Sequence, residues 1–444
     1  MTRPAQRFPL LATLLLLGPF ALSACSPAAQ PAVDGTAIVP IDPSRPGDPL
    51  FSDGLALYQQ AETEQTAAWT ARKAGDVTTA LADFAAAEVH YGLARDRFDQ
   101  LTSAASLCPG VSIRCDNGAY LGGRCSYERG VIEQERSILT PDPALLPIAQ
   151  ASWADAQARL DAMLAAFPAS ALVDSAAYFD GRARFELANR FGVGSYAGAE
   201  PLFERSYAAN ANGTWADNAL YYDGRCEFEE GAAQVAAEAS ALALGDVAQA
   251  QGAYAAARLL LDQTTGAEGS LLSRFAISSY RDNAGYYLGR AWFEKPTPDT
   301  APGVTPGTVP DAERVANLGN AVAALTPVVS MSLSPFNAGA HYWRGRSHYA
   351  LWFHQTGSNA ELAAALSDFH AVPGASVWRD NALYFAVKSF THENDLVGAC
   401  ADYTTLQNDF AASAYTAKAK AALCTWLTPG ALTCPAGSAV FTCP

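Results

Sequence analysis

The chain has 444 residues, half of them hydrophobic, and 29 Lys and Arg against 44 Asp and Glu give it a net charge of −15. The apolar share is ample for a core and is dominated by Ala, which favours close-packed helices over strands. An acidic chain without a basic run is excluded as a binder of nucleic acid, whose phosphates need clustered Lys and Arg, and its surface has little pull toward anionic lipid.

Residues 1–24 read as a secretory signal. Arg3 and Arg7 form a basic start, and Leu10 to Leu17 is an apolar core too short to cross a bilayer. The segment ends Leu22-Ser23-Ala24-Cys25. This resembles the lipobox of bacterial lipoproteins, in which cleavage precedes the Cys and its thiol is acylated. The resemblance implies a lipid on Cys25 and attachment to the membrane through it. Ser26, rather than Asp, follows the Cys, which in that family points to the periplasmic face of the outer membrane. Loss of the signal removes two Arg and no acid, so the mature charge is about −15 − 2 = −17. Residues 25–50 then read as the lipidated Cys and a flexible tether rich in Pro, Ala and Asp.

From Phe51 onward the pattern is helical. One phrase returns six times, most clearly as Asp217-Asn218-Ala219-Leu220-Tyr221-Tyr222-Asp223-Gly224-Arg225-Cys226-Glu227-Phe228-Glu229. Asp116 to Glu128, Asp174 to Glu186 and Asp282 to Glu294 align with it without a gap; Ala338 to Ala350 and Asp380 to His392 are worn copies. Its apolar positions fall at helical spacing, so each copy predicts the first helix of a helix–turn–helix. Repetition at spacings of roughly 40 to 65 residues marks an array whose units cannot bury their apolar faces alone. Thr214 and Ser279, three residues before the phrase's Asp, suggest capping boxes. Five copies carry a mid-helix Gly, which costs about 1 kcal/mol against Ala and predicts close approach of the next helix. Gly75-Asp76-Val77, Gly245-Asp246-Val247 and Gly194-Ser195-Tyr196, each followed by an Ala three residues later, predict turns into second helices. Lys295 to Pro310 carries five Pro and predicts a surface loop at 295–310.

Asn218 to Phe228 with Gly231 resembles helix A of a tetratricopeptide repeat, and Gly245 to Ala250 resembles the start of its helix B. Phe167-Pro168-Ala169-Ser170 and Phe410-Ala411-Ala412-Ser413 are similar to joints in periplasmic tetratricopeptide lipoproteins, such as the β-barrel assembly lipoprotein and the Tol–Pal-associated repeat protein. The resemblance implies an all-α fold, an α-solenoid of such hairpins over residues 51–427, with residues 428–444 a disulfide-containing tail. It also implies envelope proteins as partners.

Cys25 apart, eight Cys in an exported chain suggest disulfides. Spacing favours Cys434 with Cys443, then Cys400 with Cys424, then Cys108 with Cys115. Cys125 and Cys226 hold one phrase position and read as small apolar residues. No metal, phosphate or nucleophile signature occurs, so neither catalysis nor a cofactor is expected. Five of the six His fall late, and His341 and His348 lie about two helical turns apart, too far for one metal without a further ligand. The better hint is a ladder of Arg124, Arg182, Arg225, Arg290 and Arg346 beside Tyr221, Tyr286, Tyr342 and Tyr384, since Tyr and Arg are enriched where partners bind. The expected function is a membrane-anchored scaffold of the cell envelope that assembles partner proteins along this groove. The alternative is an outer-membrane lipoprotein that captures a ligand beside a transporter, as in the starch-utilisation type, with exposed aromatics stacked on sugar rings.

Overall fold

The structure, a computed structural model, describes residues 47–103, 113–304, 312–355 and 358–426. The signal, Cys25 and most of the expected tether lie outside these residues, as do Cys108, Cys434 and Cys443. Among the described residues the fold is all helical: fifteen α-helices, two short 3-10 turns and no strand. No described helix is long and apolar enough to cross a membrane. The helices form two compact units, one of residues 30–227 and one whose described residues run from 228 to 426, the division falling inside a single helix.

The first unit opens with α1 (Asp48–Lys73), so the last residues of the expected tether are already helical, and α2 (Val77–Ser103). On α2, Ala80, Phe84, Ala87, Tyr91, Ala94, Phe98 and Leu101 alternate at steps of four and three and all are fully buried. That stripe faces one direction on a helix. Its aromatics meet those of α1 in reverse order: Phe98 with Phe51, Tyr91 with Tyr58, Phe84 with Trp69, at 5.2–6.0 Å between centroids. The two helices are therefore an antiparallel hairpin, and each fully buried aromatic contributes about 1.5–3 kcal/mol. Its turn is set by Gly75, at φ +80°, and by Asp76, whose Oδ1 accepts the Thr79 amide at 3.0 Å.

Next come α3 (Ile113–Leu139), α4 (Leu145–Ala166), α5 (Val173–Phe191), α6 (Glu200–Ala209) and α7 (Ala216–Leu244), which runs into the second unit. The second unit continues with α8 (Val247–Arg274), α9 (Arg281–Glu294), α10 (Ala312–Ser330), α11 (Asn337–His354), α12 (Asn359–Ala371), α13 (Arg379–Glu393), α14 (Leu396–Asp409) and α15 (Ala414–Trp426). The six phrases occupy α3, α5, α7, α9, α11 and α13, every second helix. Within each unit, successive phrase helices touch one another as well as the helix between them: α3 meets α5, α9 meets α11, and α11 meets α13.

The recurring Gly has the expected cause. A Cβ on Gly123 would lie 2.7 Å from Leu160, on Gly181 2.8 Å from Phe203, on Gly289 2.4 Å from Leu325 and on Gly345 2.8 Å from Phe369. In each case the following helix fills the space. The turn signals hold at Gly245, φ +78°, where Asp246 caps α8 by accepting the Gln249 amide. Gly194 instead leads into the 3-10 turn Tyr196–Gly198, and Ser195 makes no side-chain cap. Asn394, at φ +60°, and Asp395 build the same turn before α14 with Asn in place of Gly. The expected loop at 295–310 begins with a second 3-10 turn, Pro298–Thr300, closed by a Thr297–Thr300 capping box.

The expected capping boxes are corrected: Tyr280, not Ser279, is the N-cap of α9, and it makes no side-chain cap. The serine that acts lies one residue earlier. Ser170, Ser278, Ser334, Ser376 and Ser413 each accept, through Oγ, the backbone amide two residues on, at 3.1–3.2 Å. Three of them also donate to the Asp that opens the preceding phrase: Ser170 to Asp116, Ser334 to Asp282, Ser413 to Asp380, each at 2.6 Å. Asn210 does the same for Asp174 at 3.1 Å. The other oxygen of each Asp accepts the amide of its own neighbour. In these four phrases the Asp thus ties its helix start to the start of a later helix, through bonds to a charged acceptor worth about 1.5–3 kcal/mol.

Candidate functional site

The Tyr–Arg ladder lies on the seam between phrase helices. Arg124 is 4% exposed at its side chain; its Nε donates to Glu128 Oε1 at 2.7 Å, and its guanidinium sits 3.6 Å from the Phe179 ring centroid. Arg182 sits 4.1 Å from Tyr222, 5.5 Å from Tyr127, and bonds Tyr178 and Glu186. Arg225 lies 5.6 Å from Phe185 and reaches the Tyr221 hydroxyl. In the second unit Arg290 contacts Phe228 and Trp343 at 4.6 and 4.9 Å and pairs with Glu294. Arg346 contacts Phe385 and Phe293 at 4.0 and 5.2 Å and donates to the Tyr342 hydroxyl at 2.8 Å.

The rule is common to the copies. Each Arg is in cation–π range of an aromatic near the end of the preceding phrase, of the sixth residue of the following phrase, or of both. Tyr221, Tyr286 and Tyr342 are buried, at 3–4% exposure, and Tyr384 is half-buried. Arg182, Arg225, Arg290 and Arg346 are likewise half-buried, while Arg124 is buried. Helical spacing predicts that they share a face, and rings of the adjoining phrase helices pack against that face. Burial opposes charge on Glu186, but Arg190 and Arg182 outweigh it and hold its carboxyl below the usual range.

The histidines pair singly with different partners: His341 with Asp368 at 3.0 Å, His348 with Glu361 at 2.6 Å, His370 with Asp402 at 2.9 Å, and His392 with the Tyr349 hydroxyl at 3.0 Å. Among the described residues the one group spaced to hold a cation is Glu200, Asp223 and Glu227, whose ligand oxygens lie within 4.8 Å of one another. Sequence spacing gave no sign of it, because Glu200 comes from a different helix. Burial, with Glu200 and Glu204 adding repulsion, pushes the Asp223 carboxyl up to about 7, so the cluster reaches neutral pH partly protonated. Cys115, Cys400 and Cys424 are disulfide-bonded, while Cys125 and Cys226 are fully buried thiols.

Asp180 yields a pH prediction. It is fully buried, accepts from Arg184 at 3.0 Å through one oxygen, and its carboxyl is pushed up to about 7 by burial. An unfolded Asp titrates near 3.9, at about that value in model peptides. The folded state therefore holds this proton more tightly, and the associated stability is full below about 3.9 and lost as pH rises to about 7. Asp180→Asn, which leaves Arg184 its two bonds to Asp161, is expected to raise the urea midpoint more at pH 8 than at pH 5. An equal change at both pH values defeats the prediction.

No protein-family model matches the chain, and comparison with curated proteins returns no match.

Proposed function

We propose that the chain is a lipid-anchored interaction scaffold of the bacterial cell envelope, an α-solenoid of tetratricopeptide-like hairpins that assembles partner proteins and carries out no catalysis. The observation that supports this reading is the phrase on every second helix from α3 to α13, with the same Asp joint recurring after four of the six copies. An array joined by one repeated contact presents the same edges again and again, which suits it to extended partners. The fold alone does not specify a partner, so the reading is tested in the cell.

The anchor comes first. Metabolic labelling with an alkyne fatty acid is expected to mark the native chain and place it in the membrane fraction. Cys25→Ser is expected to be unlabelled and released. An unlabelled native chain in the soluble fraction would remove the anchor from the reading. In-cell crosslinking then asks whether the same envelope proteins are captured reproducibly.

One observation favours the second reading, ligand capture. A cleft of about 350 Å³ in the second unit is lined by Leu272, Leu288, Trp292, Ala324, Pro327 and Met331. Position 11 of the phrase, polar as Ser126, Arg184, Glu227 and His348 in four copies, is Trp292 here. A mostly apolar cleft of this size suits a small apolar ligand. Crosslinking that captures a transporter alone would support it.

A further inference from the structure

The cleft of the second unit stands where other phrase helices are braced to the helix that follows. In α11 the fourth and seventh phrase residues, His341 and Arg344, both bond Asp368 of α12, at 2.6–3.0 Å. Asp368 immediately precedes Phe369, the residue that meets the mid-helix Gly345. Between α3 and α4 the eleventh phrase residue, Ser126, donates to Asp155 at 2.6 Å. Between α13 and α14 the eleventh residue, Phe390, covers Gly398, on which a Cβ would lie 2.7 Å from its ring. In α9 the fourth, seventh and eleventh residues are Gly285, Leu288 and Trp292, and Ala324 immediately precedes Leu325, which meets Gly289. None of these four can form an ion pair, and Gly285 and Ala324 are too short to fill the gap. All four line the cleft.

One end of the cleft is cationic. Arg281, the first residue of α9, lines it and is half-buried. Its Nη1 donates to the carbonyls of Leu272, at 2.8 Å, and Phe275, at 3.4 Å, which holds the guanidinium in place. Among the described residues its Nε and Nη2 make no bond, and it forms no ion pair. These two groups are one edge of the planar fork, the edge that takes a carboxylate through two parallel bonds. Trp292 marks the other end, eleven residues along α9, which is about 16 Å at the helical rise. The wall between them, of Gly285, Leu288 and Ala324, is apolar.

We propose that this cleft binds a carboxylic acid with an unbranched apolar tail, a refinement that rests on the ligand-capture reading. The head lies on the Nε–Nη2 edge of Arg281, and the tail runs along Leu288 toward Trp292. One cation at one end and an apolar wall beyond it complement one negative head and one apolar tail. Partial burial strengthens the pairing of head and guanidinium, and the tail adds affinity in proportion to the surface it hides from water.

The test is calorimetric titration of the full-length Cys25→Ser chain, which needs no detergent that would compete for the probe, with sodium acetate, octanoate and decanoate and with 1-octanol. Octanoate is expected to bind, and each added methylene to tighten binding about fourfold, so that decanoate gains at least about tenfold. Acetate and octanol are expected to bind at least about tenfold more weakly than octanoate. Arg281→Gln, whose amide can still donate to the Leu272 carbonyl, is expected to bring octanoate down to the affinity of octanol. Ala323→Leu, at an exposed position that lines the cleft, is expected to weaken octanoate at least about tenfold by filling the space. Circular dichroism checks that both variants keep their helices. Octanol bound as tightly as octanoate overturns the carboxylate and leaves the cleft to a neutral apolar ligand. Octanoate bound equally by the Cys25→Ser chain and its Ala323→Leu variant overturns the site. No binding of any probe removes the proposal and the ligand-capture reading together.

Discussion

Arg124→Ala is expected to destabilise the unit of residues 30–227 by about 3–5 kcal/mol, because it leaves a buried carboxylate without its cation. Glu128 is 4% exposed, and its second oxygen is already committed to Gln65 Nε2 at 2.9 Å. Gln65 in turn accepts from the Tyr91 hydroxyl at 2.8 Å, so the defect spreads into the α1–α2 hairpin. The guanidinium also leaves the Phe179 ring, which it covers at 3.6 Å. Arg124→Met with Glu128→Gln removes both charges while keeping most of the volume, and should recover the larger part of the loss. Urea unfolding read by hydrogen exchange in α3 and α5 separates the outcomes. A loss below about 1 kcal/mol for Arg124→Ala would mean that the pair contributes no more than an exposed one.

Gly289→Val is the second large effect, and it acts on the other unit. An added Cβ would stand 2.4 Å from Leu325 Cγ and 2.8 Å from its Cδ2, and a branched side chain adds two more atoms in the same gap. Leu325 is fully buried on α10 and has nowhere to retreat. Overpacking of this kind costs about 1–3 kcal/mol and at times more, so about 3 kcal/mol is expected here. Leu325→Ala should rescue it partly. Gly252 on α8 is the control, since an added Cβ there meets nothing within 4 Å. Gly252→Ala is expected to stabilise by about 0.5–1 kcal/mol. A neutral Gly289→Val in thermal unfolding would show that α9 and α10 separate readily, against the packing described.

How much of this was legible depends on which physics each residue obeys. Helical periodicity and the phrase are local, and they located α3, α5, α7, α9, α11 and α13. The mid-helix Gly was readable because its cost demands a neighbour, and the neighbour is the next helix in sequence. Asp76 and Asp246 were readable because their partners lie three residues away. The Arg ladder was legible as a shared face, but its packing against the rings of neighbouring phrase helices was not. Whether Arg182 faces solvent or Tyr222 depends on the register between two phrase helices about 40 residues apart, and helical spacing alone does not carry that register. The serine joints were missed for a simpler reason. Ser170, Ser278, Ser334 and Ser376 each precede a phrase's first position by four residues, a regularity present in the sequence. Their bond partner, however, is the Asp of the preceding phrase, 52 or 54 residues earlier where the structure shows it.

Between α11 and α13 that joint has no Asp to use. Ser376 keeps its bond to the Trp378 amide, but the first residue of the preceding phrase is Ala338 and offers no carboxylate. Between α11 and α13 the closure rests on Trp378 stacked on Tyr342 at 4.9 Å and on Arg346, 4.0 Å from the Phe385 ring. An array held by bonds between neighbours opens at its weakest bond. Pulled from its end, or nicked by a protease in a moment of fraying, the second unit would open more readily before α13 than at its Asp-tied joints, and α13 to α15 would leave as a block. The rest would remain folded, so breakage here acts as a fuse that confines damage to one end of the chain.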